Sequence, residues 1–200
     1  MMNCAKLTLY VLSLLVGMGT ICYAVNIYHM STNAEFPNNV TAENIHMPAY
    51  IRAPANKTQA VTVGSQWQNI TFDKTFESLK LGFTHEYTDA TNISFTPQYT
   101  GDYDISYYGS FIDSAPVPNA HIAMRLLNHD GTTVRGSYTE EDSSKQNAYR
   151  KLKHSFVTSL VAGEPFTVQF VSDDTTVSLT LHNTFHSGGS SAQLNIHRIG

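Results

Sequence analysis

The chain has 200 residues, of which 42% are hydrophobic and only 14% are charged, and its formal net charge is −4. This size suits one domain with an extension. The chain lacks the excess of basic residues that is typical of a nucleic-acid-binding protein. The two cysteines, Cys4 and Cys22, both lie in an N-terminal apolar segment, so the rest of the chain depends on its hydrophobic core rather than on disulfides.

Residues 1–24 carry the pattern of a secretory signal. A lysine precedes an apolar run of seventeen residues from Leu7 to Tyr23, which predicts an apolar helix, and Cys22-Tyr23-Ala24 is similar to a signal-peptide cleavage pattern. We expect cleavage after Ala24. The alternative is an uncleaved signal anchor, for which this run is at the short end of bilayer-spanning lengths. Either alternative places the rest of the chain outside the cytoplasm, secreted or anchored at the cell surface.

Residues 25–60 are predicted to form a stalk. Asn, Thr, Ala and Pro dominate this segment, and Pro37, Pro48 and Pro54 interrupt it. Neither a helical nor a strand period persists. We therefore expect a flexible spacer between the N-terminal segment and a domain over residues 61–200. The alternative is an ordered extension that packs on this domain.

The clearest strand pattern lies from Asp102 to Phe111. One parity of this stretch is apolar or aromatic, at Tyr103, Ile105, Tyr107 and Phe111, while the other parity carries aspartates and serines. Such alternation is typical of a strand with one face in a core and the other face in water.

Shorter alternating segments with turn residues between them continue through the domain. Asn128-His129-Asp130-Gly131 predicts a tight hairpin turn, with a returning strand from Thr132 to Tyr138. The charged segment Glu140–Lys153 is interpreted as a solvated loop. About nine or ten short strands and no amphipathic helix predict an all-β fold, a two-sheet antiparallel sandwich or jelly roll.

Four segments resemble the C1q/TNF-like jelly-roll superfamily over residues 65–200. They are Ile70–Asp73, Phe95–Ser106 with its Gly-x-Tyr strand opening, Leu160–Gln169 with its Leu-x-x-Gly-Glu turn, and Ser191–Gly200. The resemblance implies a ten-strand sandwich that follows an N-terminal stalk, forms a homotrimer, and acts as an extracellular recognition or adhesion module. The chain has no Gly-X-Y collagen tract, so a trimer is expected to be held by the jelly-roll head.

Tyr108 is the candidate interface or ligand residue. It lies on the parity opposite to the core residues of its strand, where a large aromatic side chain favours a subunit interface or a ligand platform. A covering loop or sheet is the alternative at this position. A non-enzymatic module that binds an extracellular protein or glycan is the expected function. A monomeric carbohydrate-binding sandwich is the alternative, and a hydrolase is a third.

Several clusters of titratable residues are candidates for a metal or catalytic site. The clusters are His182, His186 and His197, then Asp102 with Asp104, Asp173-Asp174, and Glu140-Glu141-Asp142. On a helix the spacing of His182 and His186 would put two imidazoles on one face, but here one falls in a predicted strand and the other near a turn. None of the carboxylate clusters has the spacing of a calcium loop, so we expect no cofactor, with calcium as the weaker alternative. Ser187-Gly188-Gly189-Ser190 lacks the Gly-x-Ser-x-Gly nucleophile pattern and is interpreted as a turn.

Four asparagines match the acceptor pattern for N-glycosylation. They are Asn39, Asn56, Asn69 and Asn92. Asn39 and Asn56 lie in the predicted stalk, so we expect these two to be the accessible ones.

Overall fold

Thirteen β-strands and no helix are found in the residues that the computed structural model describes, which are 48–73, 80–87, 93–181 and 189–199. These residues lie within the unit His46–Gly200. The predicted signal or anchor and the first part of the predicted stalk lie outside them, as do Asn39, Asn92, His182 and His186. In the described part, no helix has the length and apolar character needed to cross a membrane.

The strands are β1 (Tyr50–Ala55), β2 (Gln59–Ala60), β3 (Gln68–Asn69), β4 (Lys80–Leu81), β5 (Phe83–Tyr87), β6 (Ile93–Pro97), β7 (Gly101–Asp113), β8 (Ala120–Asn128), β9 (Thr139–Ser143), β10 (Tyr149–Leu160), β11 (Phe166–Ser172), β12 (Val177–Leu179) and β13 (Ala192–Arg198).

The strands form two antiparallel sheets. The seven-stranded sheet has the order β2-β12-β7-β13-β1-β4, with β10 on the other side of β7, and the six-stranded sheet has the order β5-β6-β11-β8-β9, with β3 also paired to β11. Among the longer strands the orders are therefore β1-β13-β7-β10 and β6-β11-β8-β9. Neighbours in each sheet are mostly distant in sequence, which is compatible with a jelly-roll sandwich.

Strand β7 is the centre of the seven-stranded sheet. It pairs with β10 along Gly101–Ile112, and on its other side it pairs first with β13 and then with β12. Its predicted core residues are Tyr103, Ile105, Tyr107 and Phe111, and each is at most 2% exposed. They pack with aromatic and aliphatic residues of the second sheet in one core cluster. The alternation predicted from the sequence is therefore confirmed.

Strand β1 corrects the predicted stalk at its C-terminal end. Residues 50–55 are not a spacer but pair with β13 along their whole length, and Ile51, Ala53 and Ala55 are buried. The inward residues are mostly alanines, whose small side chains give only a weak hydrophobic alternation in the sequence. Pro54 is tolerated because β4 pairs only with Tyr50 and Ile51, so the far edge of β1 needs no amide donor at position 54.

The segment Glu140–Lys153 is also corrected, because much of it is strand rather than loop. Strand β9 carries its acidic side chains on an exposed sheet edge, and β10 begins at Tyr149 with its lysines pointing outward on alternate positions. The hairpin turn forms at Asn128, whose amide donates to Thr132 O at 2.8 Å, but the predicted return strand is reduced to a single bridge between Leu127 and Thr133.

Replacement of Tyr107 by phenylalanine is expected to destabilise the fold. The buried Tyr107 hydroxyl donates to the carbonyl of Ser137, and phenylalanine leaves that buried acceptor unsatisfied. Such a loss costs about 1–3 kcal/mol. Chemical denaturation measures the change, and Tyr138→Phe at an exposed hydroxyl is the control, expected within about 0.5 kcal/mol of wild type. Equal stability of the two variants would contradict this role for Tyr107.

Candidate functional site

The outer face of the seven-stranded sheet carries large side chains that no described element covers. We call this surface the tyrosine face; it is defined by Tyr50, Leu81, Tyr108, Tyr149 and Val157, with Arg52, Asp102, Asp104, Lys151, Lys153 and His197 between and around them. Val157 is 60% exposed and Leu81 47% exposed. Since the opposite side of the same strands forms the core, this is the second, solvated face of the sheet.

Strand register aligns these side chains in rows across the sheet. One row runs from Val157 on β10 through Asp104, His197 and Tyr50 to Leu81 on β4. Directly opposite residues on one face lie about 4.5–5.5 Å apart at their β-carbons. The row therefore forms one continuous band with an apolar residue at each end.

Tyr108 lies on this face, on the parity that the sequence predicts. Its hydroxyl forms a 2.5 Å hydrogen bond with Ser190 Oγ, and Lys151 Nζ lies 4.2 Å from the centroid of its ring. Tyr108 and Lys151 line an open depression of about 260 Å³, together with Tyr149, Ser110 and Ser190. The arrangement is able to hold a side chain or a small polar ligand against an aromatic wall. The role of Tyr108 in an interface or a ligand site stays a prediction.

The lysines and the aspartates of the tyrosine face are segregated. Lys151 and Lys153 lie towards one end of β10, while Asp102 and Asp104 lie at the other end of the paired strand β7. Lys153 is opposite Tyr108, four residues along β7 from Asp104, which corresponds to roughly 13 Å along the strand. The two groups of charges are therefore too far apart to pair within one subunit, and they remain available to a complementary surface.

The outer face of the six-stranded sheet carries a second cluster that the sequence analysis missed. We call it the arginine cluster; it consists of Trp67, Asn69, Arg125, Tyr138 and Gln169. The Arg125 guanidinium lies 4.0 Å from the centroid of a Trp67 ring, and Tyr138 packs edge-on against the same indole at 6.4 Å. The sequence alone does not reveal the contact between Trp67 and Arg125, because it depends on pairing between β3, β11 and β8.

His121 forms a small electrostatic site at one edge of the six-stranded sheet. Its Nδ1 lies 2.6 Å from Asp142 Oδ1, and its backbone amide donates to Asp173 Oδ1 at 2.8 Å. The hydrogen bond with Asp142, followed by the charges of Asp142 and Asp173, raises the pKa of His121 above its usual value.

The pKa of His121 is expected to depend on the carboxylate of Asp142. Because the pKa is raised in the folded chain, this pair stabilises the fold at pH values below the ordinary value of about 6.5 and loses its contribution as pH rises through the raised pKa. Asp142→Asn should lower the pKa of His121, measured by NMR titration of the imidazole carbon-bound protons. Asp102→Asn on the other sheet is the control; an unchanged His121 titration in Asp142→Asn would refute the assignment.

The described members of the carboxylate and histidine clusters considered from the sequence do not assemble into one centre, and His182 and His186 lie outside the described residues. Among the described residues, no group of three or more histidine, cysteine or acidic side chains could hold a metal ion. His197 lies beside Tyr50 on the tyrosine face, with ring centroids 6.4 Å apart. Asp102 accepts a hydrogen bond from the Ser159 hydroxyl at 2.5 Å and is exposed, as is Asp104.

The two described glycosylation acceptors differ in accessibility. Asn56 is exposed in the turn between β1 and β2, whereas the Asn69 side chain lies in β3 and accepts a hydrogen bond from Gln169 Nε2 at 2.9 Å. A bulky glycan needs a free surface position. In a glycosylating host we therefore expect modification at Asn56 and not at Asn69. Peptide mapping by mass spectrometry, with Asn56→Gln as the control, measures this; a glycan on Asn69 alone would reverse the assignment.

No protein-family model and no curated protein matches this chain. The fold itself defines an all-β protein built from two antiparallel sheets.

Proposed function

We propose that this chain is a non-enzymatic extracellular recognition or adhesion module of the C1q/TNF-like kind, whose jelly-roll head forms a homotrimer through the tyrosine face. The observation that carries the proposal is the set of exposed large side chains on this one sheet face. Scattered exposed apolar residues are ordinary on protein surfaces, but several large apolar and aromatic side chains on one sheet face are typical of an interaction site.

A second copy of the chain is a suitable partner because of the charge pattern. The lysine end and the aspartate end of the tyrosine face are complementary, so contact between two copies can bring opposite charges together while burying Tyr108 and Val157. In a head-to-tail contact, one part of the face on one copy meets a different part of the face on the next copy. Such a contact generates a closed ring when the rotation between neighbouring copies permits closure. The resemblance to C1q/TNF-like heads suggests three copies in that ring.

The test is the mass of the full chain in a mild detergent, measured by light scattering after size exclusion. We expect three copies per particle. A particle of one chain would overturn the trimer. It would favour the second candidate, a monomeric carbohydrate-binding sandwich, which is supported by the depression that Tyr108, Tyr149 and Lys151 line.

A further inference from the structure

The arginine cluster holds one guanidinium group in a fixed position. Gln169 Oε1 accepts hydrogen bonds from Nε and Nη2 of Arg125 at 3.1 and 3.0 Å, and Thr133 Oγ1 accepts from Nη1 at 3.1 Å. Gln169 is only 9% exposed, and its amide donates to Asn69. One face of the guanidinium packs on Trp67. Arg125 is therefore oriented before any ligand arrives.

The charge of Arg125 is not neutralised within the subunit. In the described part of the chain no carboxylate forms an ion pair with it, and its hydrogen-bond acceptors are all neutral. A guanidinium has five N–H donors, of which three are used, so two remain. The remaining N–H groups of a charged guanidinium bind a carboxylate through short, charge-assisted hydrogen bonds. The cluster is thus suited to an anionic group.

The surroundings favour a sugar as the carrier of that carboxylate. Tyr138 is 49% exposed and packs against the same Trp67 indole as Arg125, so it offers an aromatic surface for the apolar face of a sugar ring. Glu140 accepts a hydrogen bond from the Tyr138 hydroxyl, and its carboxylate adds an acceptor for sugar hydroxyls. An acidic peptide fits less well, because Glu140 and Asp142 lie on the same face of the sheet as Arg125 and repel a chain of several carboxylates more than a sugar with one.

We infer that the arginine cluster binds an acidic sugar residue of a glycan, with the sugar carboxylate on Arg125 and the sugar ring against Tyr138. This names a ligand class for the proposed recognition module, and it rests on that proposed function. The site lies on the sheet opposite to the tyrosine face, so ligand binding and trimer formation are separate properties. A failure of one can be distinguished from a failure of the other by measuring both in the same samples.

The experiment titrates the full chain with 3′-sialyllactose and with a glucuronate-containing tetrasaccharide, using ligand-observed NMR and calorimetry. Lactose and the carboxyl-reduced tetrasaccharide are the neutral counterparts. We expect at least one acidic sugar to bind about tenfold or more tightly than its neutral counterpart, since a charge-assisted pair is worth at least this factor. Equal affinity for both, no binding of either acidic sugar, or preferential binding of a glutamate-rich peptide would overturn the inference.

Variants assign the binding to the cluster. Arg125→Gln should lose about tenfold or more of the affinity, and Arg125→Lys, which retains the charge but not the guanidinium N–H groups, should also lose affinity. Arg135→Gln, at an exposed arginine of the neighbouring loop, is the matched control and should bind as wild type. Unfolding curves identify a variant that has lost its fold, and Tyr138→Ala then serves as the second binding variant. Equal losses in Arg125→Gln and Arg135→Gln would contradict the assignment.

Discussion

Glutamate in place of Val157 is expected to dissociate the trimer. Val157 lies on the tyrosine face directly opposite Asp104, so the variant adds a second carboxylate where the proposed contact excludes water. An uncompensated buried charge costs about 3–5 kcal/mol, which corresponds to a dissociation constant raised more than 100-fold. Sedimentation velocity over a range of protein concentrations measures the change.

The control for this variant is Val117→Glu, because Val117 is 85% exposed in the loop after β7. Within one subunit, repulsion between the introduced carboxylate and Asp104 is small at an exposed cross-strand pair, about 1 kcal/mol or less. Thermal unfolding should therefore show that the Val157→Glu subunit still folds. A trimer that survives Val157→Glu, or that dissociates equally in Val117→Glu, would remove the tyrosine face as the interface.

Valine in place of Gly109 is expected to destabilise the core strongly. A β-carbon at this position of β7 would lie 2.7 Å from Phe111 Cε2, 2.8 Å from Met124 Sδ and 3.0 Å from Leu179 Cδ1. All three of these side chains are fully buried, so they have no free space to enter. Overpacking of this kind costs about 3 kcal/mol, and for a domain of this size it lowers the melting temperature by about 6–12 °C.

Calorimetry on Gly109→Val measures that shift. The matched control is Thr84→Val on β5, which places the same branched side chain at an exposed position of the other sheet, away from the tyrosine face. We expect the control to melt within about 2 °C of wild type, consistent with surface substitutions near 0.5 kcal/mol. Similar melting temperatures for the two variants would show that the core around Gly109 has room that the structure does not indicate.

The central strand could be predicted from the sequence because its signal is local. Tyr103, Ile105 and Tyr107 alternate with small polar residues, and the two-residue period of a strand turns that alternation directly into two faces. The same reasoning places Tyr108 on the solvated face. By contrast, β1 has small alanines on its inward side and a proline within it, so its place in the sheet is set by long-range pairing with β13.

The charged segment around β9 and β10 shows a second limit. Lys151 and Lys153 suggest a solvated loop, yet they are the outward residues of a strand whose inward residues include the buried Leu152. Charge at alternate positions is compatible with a strand at the edge of a sheet, where it also discourages unwanted pairing. Composition alone therefore does not separate an exposed edge strand from a loop.

The arginine cluster could not be found from sequence spacing. Trp67, Arg125 and Gln169 are far apart along the chain, and they meet only because β11 pairs with β3 on one side and β8 on the other. Register between distant strands determines which outward side chains become neighbours. Outward polar residues are common on any sheet, so the individual positions carry no signal until that register is known.

The most direct test of the proposed interface is the reactivity of a single thiol on the tyrosine face. Cys4 and Cys22 are replaced by serine, and Ser155→Cys is compared with Val117→Cys in the assembled full chain by the rate of alkylation. The account predicts that the thiol at position 155 reacts at least about tenfold more slowly than the one at 117, because the neighbouring copy covers it. Equally fast alkylation at both positions would contradict an interface on this face.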